Sequence, residues 1–209
     1  YCCSLQPTLD VLCTGGRDSS VRVWDMRSKQ QIFCLSGHKD TITSLCTQGV
    51  DPQIISGSAD TTIKLWDLAA GNSYATLTHH KKGVRGLALH PTKYLFASAS
   101  ADNIKQWQCP QGTFMKNVSE SGRAIVNCLG INYDDVFVAG YDNGMMQFRD
   151  WKTGYNFHTE QTKVQPGSLE AEAGIFAMEF DKTGTRLVTC EADKTIKIWK
   201  EDETATPET

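Results

Sequence analysis

The stretch Asp60–Gly71, "DTTIKLWDLAAG", opens on a polar turn, alternates through Ile63-Lys64-Leu65-Trp66 and breaks at Gly71. Nearly the same sentence stands at Asp18–Lys29, "DSSVRVWDMRSK", and again at Asp193–Thr204, "DKTIKIWKEDET". Alternation of apolar and polar residues predicts a strand with one face buried. A chain that writes such a strand repeatedly is built of repeats, and the period of repetition decides the architecture.

The aromatic residues closing these strands, Trp24, Trp66, Trp107, Phe148 and Trp199, lie 42, 41, 41 and 51 residues apart. Three of the intervals match the roughly 40–45 residues of a four-stranded propeller blade. The fourth is longer and predicts an insertion within His158–Gly174, "HTEQTKVQPGSLEAEAG". Inside the second unit, "TITSLCTQ", "PQIISGSA", "TTIKLWDL" and "NSYATLTH" are separated by turn signals such as Asp51-Pro52 and Ala70-Gly71-Asn72. Short strands so punctuated indicate an all-β chain. A lone four-stranded sheet cannot bury both faces, so successive units are expected to stack around an axis. The units run over about residues 1–36, 37–79, 80–119, 120–164 and 165–203, with 204–209 beginning a tail.

The 209 residues are 40% hydrophobic and 22% charged, with a net charge of −3. That is the profile of a globular chain, and its slight acidity argues against a dedicated nucleic-acid binder. No apolar run reaches the roughly 20 residues that cross a bilayer. The eight cysteines form no C-x-x-C pair and several stand inside apolar runs, which favours reduced, buried thiols. The five histidines show no metal spacing with them, and no phosphate-binding glycine loop is present. No cofactor or metal is expected.

Ser56, His38 and Asp60 together invite a hydrolase reading, with serine as nucleophile and histidine as base. Repetition argues otherwise. Thr14, Asp18 and Trp24 share the spacing of Ser56, Asp60 and Trp66, as do Thr189, Asp193 and Trp199. His80, Ser98, Asp102 and Trp107 repeat the set one residue shorter. A catalytic triad is needed once, whereas a hydrogen-bonded staple is needed in every blade. The fourth unit has Gly122, Val138 and Phe148 at these places, and the fifth has no Gly-His before "GIFAMEF". Both are expected to depend more on apolar packing.

From its Gly-His to its Trp-Asp, "SGHKDTITSL…QIISGSADTTIKLWD" resembles a WD40 repeat. The resemblance implies a β-propeller and a structural His–Ser/Thr–Asp–Trp tetrad. It says little about function, since propellers serve many. Strings the blade does not demand are more specific: "LQPTLDVL" (5–12), "THHKKGVR" (78–85), "DWKTGYNF" (150–157) and "VQPGSLEAEAGIFA" (164–177) are similar to the pleiotropic regulator family of spliceosomal WD40 proteins. That likeness implies a nuclear, non-catalytic scaffold of pre-mRNA splicing in the nineteen-associated complex, with RNA contact indirect or minor. It also implies a seven-bladed ring, of which five units are read here. Until completed, the ring is expected to associate through open edges.

Three segments are candidate partner contacts. Lys81, Lys82 and Arg85 form the densest basic run. The insertion offers Val164, Gln165, Pro166, Leu169, Glu170 and Glu172 on a loop expected beside the axial opening. "VWDMR", ending at Arg27, resembles the W-D-x-R box by which some WD40 proteins dock on a ubiquitin-ligase adaptor. A ligase substrate receptor is therefore the alternative function.

Overall fold

In a computed structural model, which describes residues 1–119, 124–169 and 172–202, the chain forms five antiparallel sheets in sequence order. The first holds β1 (Cys2–Leu5), β2 (Val11–Gly15), β3 (Ser20–Asp25) and β4 (Gln31–Ser36). The second holds β5 (Ile42–Thr47), β6 (Ile54–Ser58), β7 (Ile63–Asp67) and β8 (Asn72–Leu77). The third holds β9 (Val84–Leu89), β10 (Leu95–Ser100), β11 (Ile104–Gln108) and β12 (Thr113–Ser119). The fourth holds β13 (Val126–Ile131), β14 (Val136–Tyr141), β15 (Met145–Asp150) and β16 (Asn156–Gln161). The fifth has three strands, β17 (Ile175–Phe180), β18 (Arg186–Glu191) and β19 (Ile196–Lys200). Gly122, Glu170 and the tail from 203 lie outside the described residues.

Each sheet is a meander, so every first strand is the inner one. The inner strands β1, β5, β9, β13 and β17 neighbour one another in that order, as the blades of a propeller require. The apolar cores lie between sheets. Val21, Val23 and Leu35 of the first pack on Ile42, Ile54 and Trp66 of the second. Ile63, Leu65 and Leu77 then meet Val84, Phe96 and Trp107 of the third. Ala97, Ala99 and Ile104 face Phe137, Ala139 and Trp151 of the fourth, and Val138 and Met146 face Ile175 and Leu187 of the fifth. The fully buried Trp66 and Trp107 are thus interface residues, each sealing its blade onto a neighbour. Contact is close enough that a Cβ on Gly57 would meet Val84 Cγ1 at 2.7 Å. A side chain there would force the second and third blades apart.

The inner strands β5, β9, β13 and β17 share a bulge near their first residue. Thr43, Arg85, Asn127 and Phe176 are each skipped in the pairing with the next strand. A bulged residue is turned away from its own ladder, and three of these four reach the following blade. The Thr43 hydroxyl donates to Val84 O, Arg85 Nη1 to Asn127 Oδ1 (2.7 Å) and Asn127 Nδ2 to Ile175 O (3.1 Å). Phe176, at the same place in the fifth blade, is 63% exposed.

Every cysteine is a free thiol. Burial pushes the Cys13, Cys46 and Cys128 thiols up to about 12, so these sulfurs stay protonated and behave as small apolar groups.

The outward face of the fifth blade leaves Phe176, Ile196 and Ile198 more than half exposed, and that of the first leaves Leu5 at 55%. Contiguous exposed apolar surface of this kind drives association. The 209-residue chain on its own is expected to run above monomer mass in light scattering coupled to size exclusion. Charged substitutions at Ile196 and Ile198 should return it toward monomer; a strict monomer without them contradicts this account.

Candidate functional site

In a meander, the turn between second and third strands and the connection from one blade to the next emerge at the same end. That brings the histidine of the connection to the aspartate of the turn. His38 Nδ1–H donates to Asp60 Oδ2 (3.0 Å), Ser56 Oγ–H to His38 Nε2 (2.7 Å) and Trp66 Nε1–H to Ser56 Oγ (2.8 Å). In the third blade His80 reaches Asp102 at 3.2 Å and Ser98 at 2.7 Å, and Trp107 donates to Ser98 at 2.7 Å. The missing residue between Asp102 and Trp107 leaves this chain of bonds unbroken.

The arrangement has the connectivity of a hydrolase triad and lacks its accessibility. Ser56 and Ser98 are fully buried, and each hydroxyl oxygen already accepts an indole N–H. No substrate carbonyl can approach such an oxygen, and its lone pair is engaged. The group is a staple: it joins the connection, the turn and two strands, satisfying every polar atom it buries.

Electrostatics fit that role. Burial, only partly offset by the aspartate, lowers the titration of His38 and His80, so both are neutral in the fold. Burial alone would raise Asp60, but the Lys39 amide, both donors of Thr62 and His38 outweigh it and hold the carboxyl at about 2.

The other units hold parts of the staple. In the first, Trp24 donates to Thr14 at 2.9 Å, but Asp18 turns outward to Arg22 (2.7 Å) and is not part of the network. Arg22, four residues on, takes the carboxylate. In the fifth, Trp199 donates to Thr189 at 2.9 Å, and Asp193 accepts the Gln165 amide at 2.9 Å. Lys39 and Lys81, each following a histidine, make that same amide contact to Asp60 and Asp102. Val164 therefore stands in the histidine's place. The buried Glu191 supplies polar contact instead, accepting from Thr189 at 3.3 Å and pairing with Lys197. In the fourth, Val138 is buried, Phe148 packs nearby, and Asp142 Oδ1 accepts the Ile125 amide at 3.0 Å.

The match to Gln165 also locates the insertion. His38 and His80 stand four positions before Ile42 and Val84, whereas Val164 stands eleven before Ile175. The extra residues follow the histidine place, within 165–174. The loop is anchored at both ends: Gln165 holds Asp193, and Gly174 accepts the Ala192 amide. Ala173 is buried against Gly144, whose φ of +81° and 2.6 Å approach to Ala173 O from a would-be Cβ tolerate no side chain. Leu169 projects between these anchors, 71% exposed. Pro166 is exposed, and Glu172 folds back to the Leu169 amide.

The basic run does not form one patch. The Lys81 and Lys82 side chains are exposed on the connection, but Arg85 lies on β9 and is spent on Asn127. Arg27 is 83% exposed, with its guanidinium held by Asp10 at 2.5 Å. Among the described residues, no three of His, Cys, Asp and Glu cluster as a metal site would need.

Sequence reading passed over a second set of cross-blade bonds. Gln6, Gln48, His90 and Asn132 follow successive inner strands at 42-residue intervals. Gln6 Nε2 donates to Gln48 O (2.7 Å), His90 Nε2 to Asp135 Oδ1 (2.8 Å) and Asn132 Nδ2 to Gly184 O (2.9 Å). Their common period was the available signal, masked by the differing residue types.

The profile of the WD domain, G-beta repeat family matches residues 1–25, 29–67, 71–108 and 161–200. The chain belongs to the WD40 family. The unit between those matches is the one in which Val138 and Phe148 replace the hydroxyl and the indole. Among curated WD40 relatives, the chain is similar to Protein pleiotropic regulator PRL2 of Arabidopsis thaliana, 58% identical over 58% of this chain and 26% of that one. Pleiotropic regulator 1 of Homo sapiens is 57% identical over 58% of this chain and 23% of its own. Pre-mRNA-splicing factor PRP46 of Candida glabrata is 48% identical over 58% and 29%. The matched region thus spans about a quarter of these relatives' length.

Asp60→Ala is expected to lower stability by about 1–3 kcal/mol, because buried donors lose their acceptor. Asp142→Ala should cost less, since one backbone amide depends on that carboxylate. Equal shifts in denaturant midpoint would contradict the staple assignment.

Acid should weaken the fold in two stages. His38, His80 and His90 titrate lower in the fold than in the unfolded chain, chiefly through burial. Unfolding therefore takes up protons once the pH falls below about 6.5, and their stabilisation declines from there. Asp60, held at about 2 against 3.8, stabilises in full above the unfolded value and loses that stabilisation as the pH falls toward 2. Melting temperature measured from about pH 7.5 to 5 should fall; a flat profile contradicts neutral buried histidines.

Proposed function

We propose that this protein is a non-catalytic interaction scaffold of pre-mRNA splicing, a nuclear component of the spliceosomal nineteen-associated complex. The observation that carries the reading is identity of 48–58% to proteins named pleiotropic regulators and pre-mRNA-splicing factors. The buried staples support a structural rather than a catalytic use of Ser, His and Asp. Blades packed closely on one another offer loops as contact points, and its partners are spliceosomal proteins of that complex, with RNA touched indirectly or little. Docking to a ubiquitin-ligase adaptor through Arg27 is the second reading. Its exposure favours contact, but the pairing with Asp10 would have to be broken first.

The insertion is the contact assigned to assembly. Leu169 is displayed by a loop whose anchors, Gln165 and Gly174, belong to the blade. Affinity purification of the tagged protein from nuclear extract should recover nineteen-complex proteins and spliceosomal RNA; recovery of neither sinks the scaffold reading. Replacing Pro166–Glu172 by a Gly/Ser linker, which keeps Gln165 on Asp193, should leave the melting temperature nearly unchanged and reduce that recovery. Undiminished recovery makes the loop a spacer.

A further inference from the structure

The first two interfaces of the stack are each built from two unlike halves. The half that a blade turns to its successor carries the aliphatic residues three and one positions before its tryptophan. These are Val21 and Val23 in the first blade and Ile63 and Leu65 in the second, all buried. The half turned to the predecessor carries the tryptophan itself and the residue across the ladder from it. These are Trp66 with Ile54 in the second blade and Trp107 with Phe96 in the third.

The chain carries one further copy of each half, on the outward faces of its first and fifth blades. In the fifth, Ile196 and Ile198 stand three and one positions before Trp199 and are 70% and 67% exposed. Cys190 and Val188 face them across the ladder from β18, so the four side chains share one surface. In the first, Leu12 pairs with Trp24 as Ile54 does with Trp66, and both are half-buried. Leu5, opposite Leu12 on β1, adds an exposed side chain to the same face. The Trp24 N–H already donates to Thr14, so its ring offers apolar surface with no unmet donor. Arg22 borders this face where Lys64 borders that of the second blade, and its charge is paired with Asp18.

We infer that a second copy of this chain covers these faces head to tail. The fifth blade of one copy packs on the first blade of the next, with Ile196 and Ile198 against Leu12 and Trp24. One copy thereby supplies to another both sides of an interface that each already forms within itself. Two fifth-blade faces would set aliphatic on aliphatic with no ring between them, and two first-blade faces would set tryptophan on tryptophan. The first two interfaces of the stack use neither pairing. Contact between unlike faces leaves one of each kind free at the ends, so copies add until the geometry closes a ring. Apolar surface removed from water drives the contact. It requires only the blades and is independent of any role in splicing.

The native chain carries its own probes. Cys190 is exposed on the fifth blade's outward face, and Cys3 and Cys34 are exposed on the first blade's. Isotope-labelled and unlabelled copies are mixed, treated with a short bis-maleimide and mapped by mass spectrometry. Links from Cys190 of one copy to Cys3 or Cys34 of another are expected. A second measurement blocks one face at a time, with Ile196→Asp and Ile198→Asp in one variant and Leu5→Asp and Leu12→Asp in the other. None of these residues belongs to an internal core, so both variants should keep the native melting temperature. In light scattering coupled to size exclusion, each variant alone should be monomeric, and their equimolar mixture should reach twice the chain mass and no more. Links joining Cys190 to Cys190, a mixture that stays monomeric, or association by either variant alone overturns the proposal. So does a native chain that stays monomeric at every concentration, as faces covered from within would make it. Where a variant fails to fold, the cross-link map of the native protein decides.

Discussion

The structure depends on one constraint: a short four-stranded antiparallel sheet has two faces and cannot bury either by itself. Each blade here solves this by packing on the next, so all four cores lie between sheets rather than within one. The position of Trp66 follows directly. Its indole fills the space toward Ile42 and Leu35 of neighbouring strands, while its N–H is tied to Ser56. A residue that must be apolar on its faces and polar at one edge is best met by tryptophan. Where the polar partner is absent, as with Val138, phenylalanine suffices.

Interfaces stacked this closely must also satisfy the backbone they bury. Three devices do so at three levels of the stack. The staple joins connection to turn at one end, the bulge residues Thr43, Arg85 and Asn127 cross between inner strands, and Gln6, His90 and Asn132 cross at the opposite end. The staple is internal to a blade and the other two couple neighbours. This division explains why the first and fifth blades can lose parts of the staple and keep their strands. Their inner-strand bonds and apolar interfaces do not pass through it.

The same division places the exposed chemistry. Surfaces that a neighbour covers are apolar or bridged, and what remains lies on loop ends, on outer strands and on the outward faces of the first and fifth blades. Leu169 at one end and Tyr94 at the other are presented by backbone that the blades hold fixed.

The sequence by itself determined the repeat, the approximate strands and the residues that meet in the second and third staples. These are local: Ser56, Asp60 and Trp66 lie within ten residues, and strand alternation and turn chemistry mark them. It also showed that Val138 and Phe148 break the pattern. What only the tertiary structure decided lies about 42 residues apart, between blades. Asp18 carries the right residue type at the right spacing, yet its carboxylate pairs with Arg22. Val164 replaces a histidine unannounced, since only the Gln165 amide on Asp193 identifies the place. Gln48 reads like Gln6 in sequence, but of the two only the Gln6 amide donates to a backbone carbonyl of the next blade. Whether a side chain reaches its acceptor depends on how closely two sheets approach. Packing volumes on both faces set that distance, and no single stretch of sequence contains them.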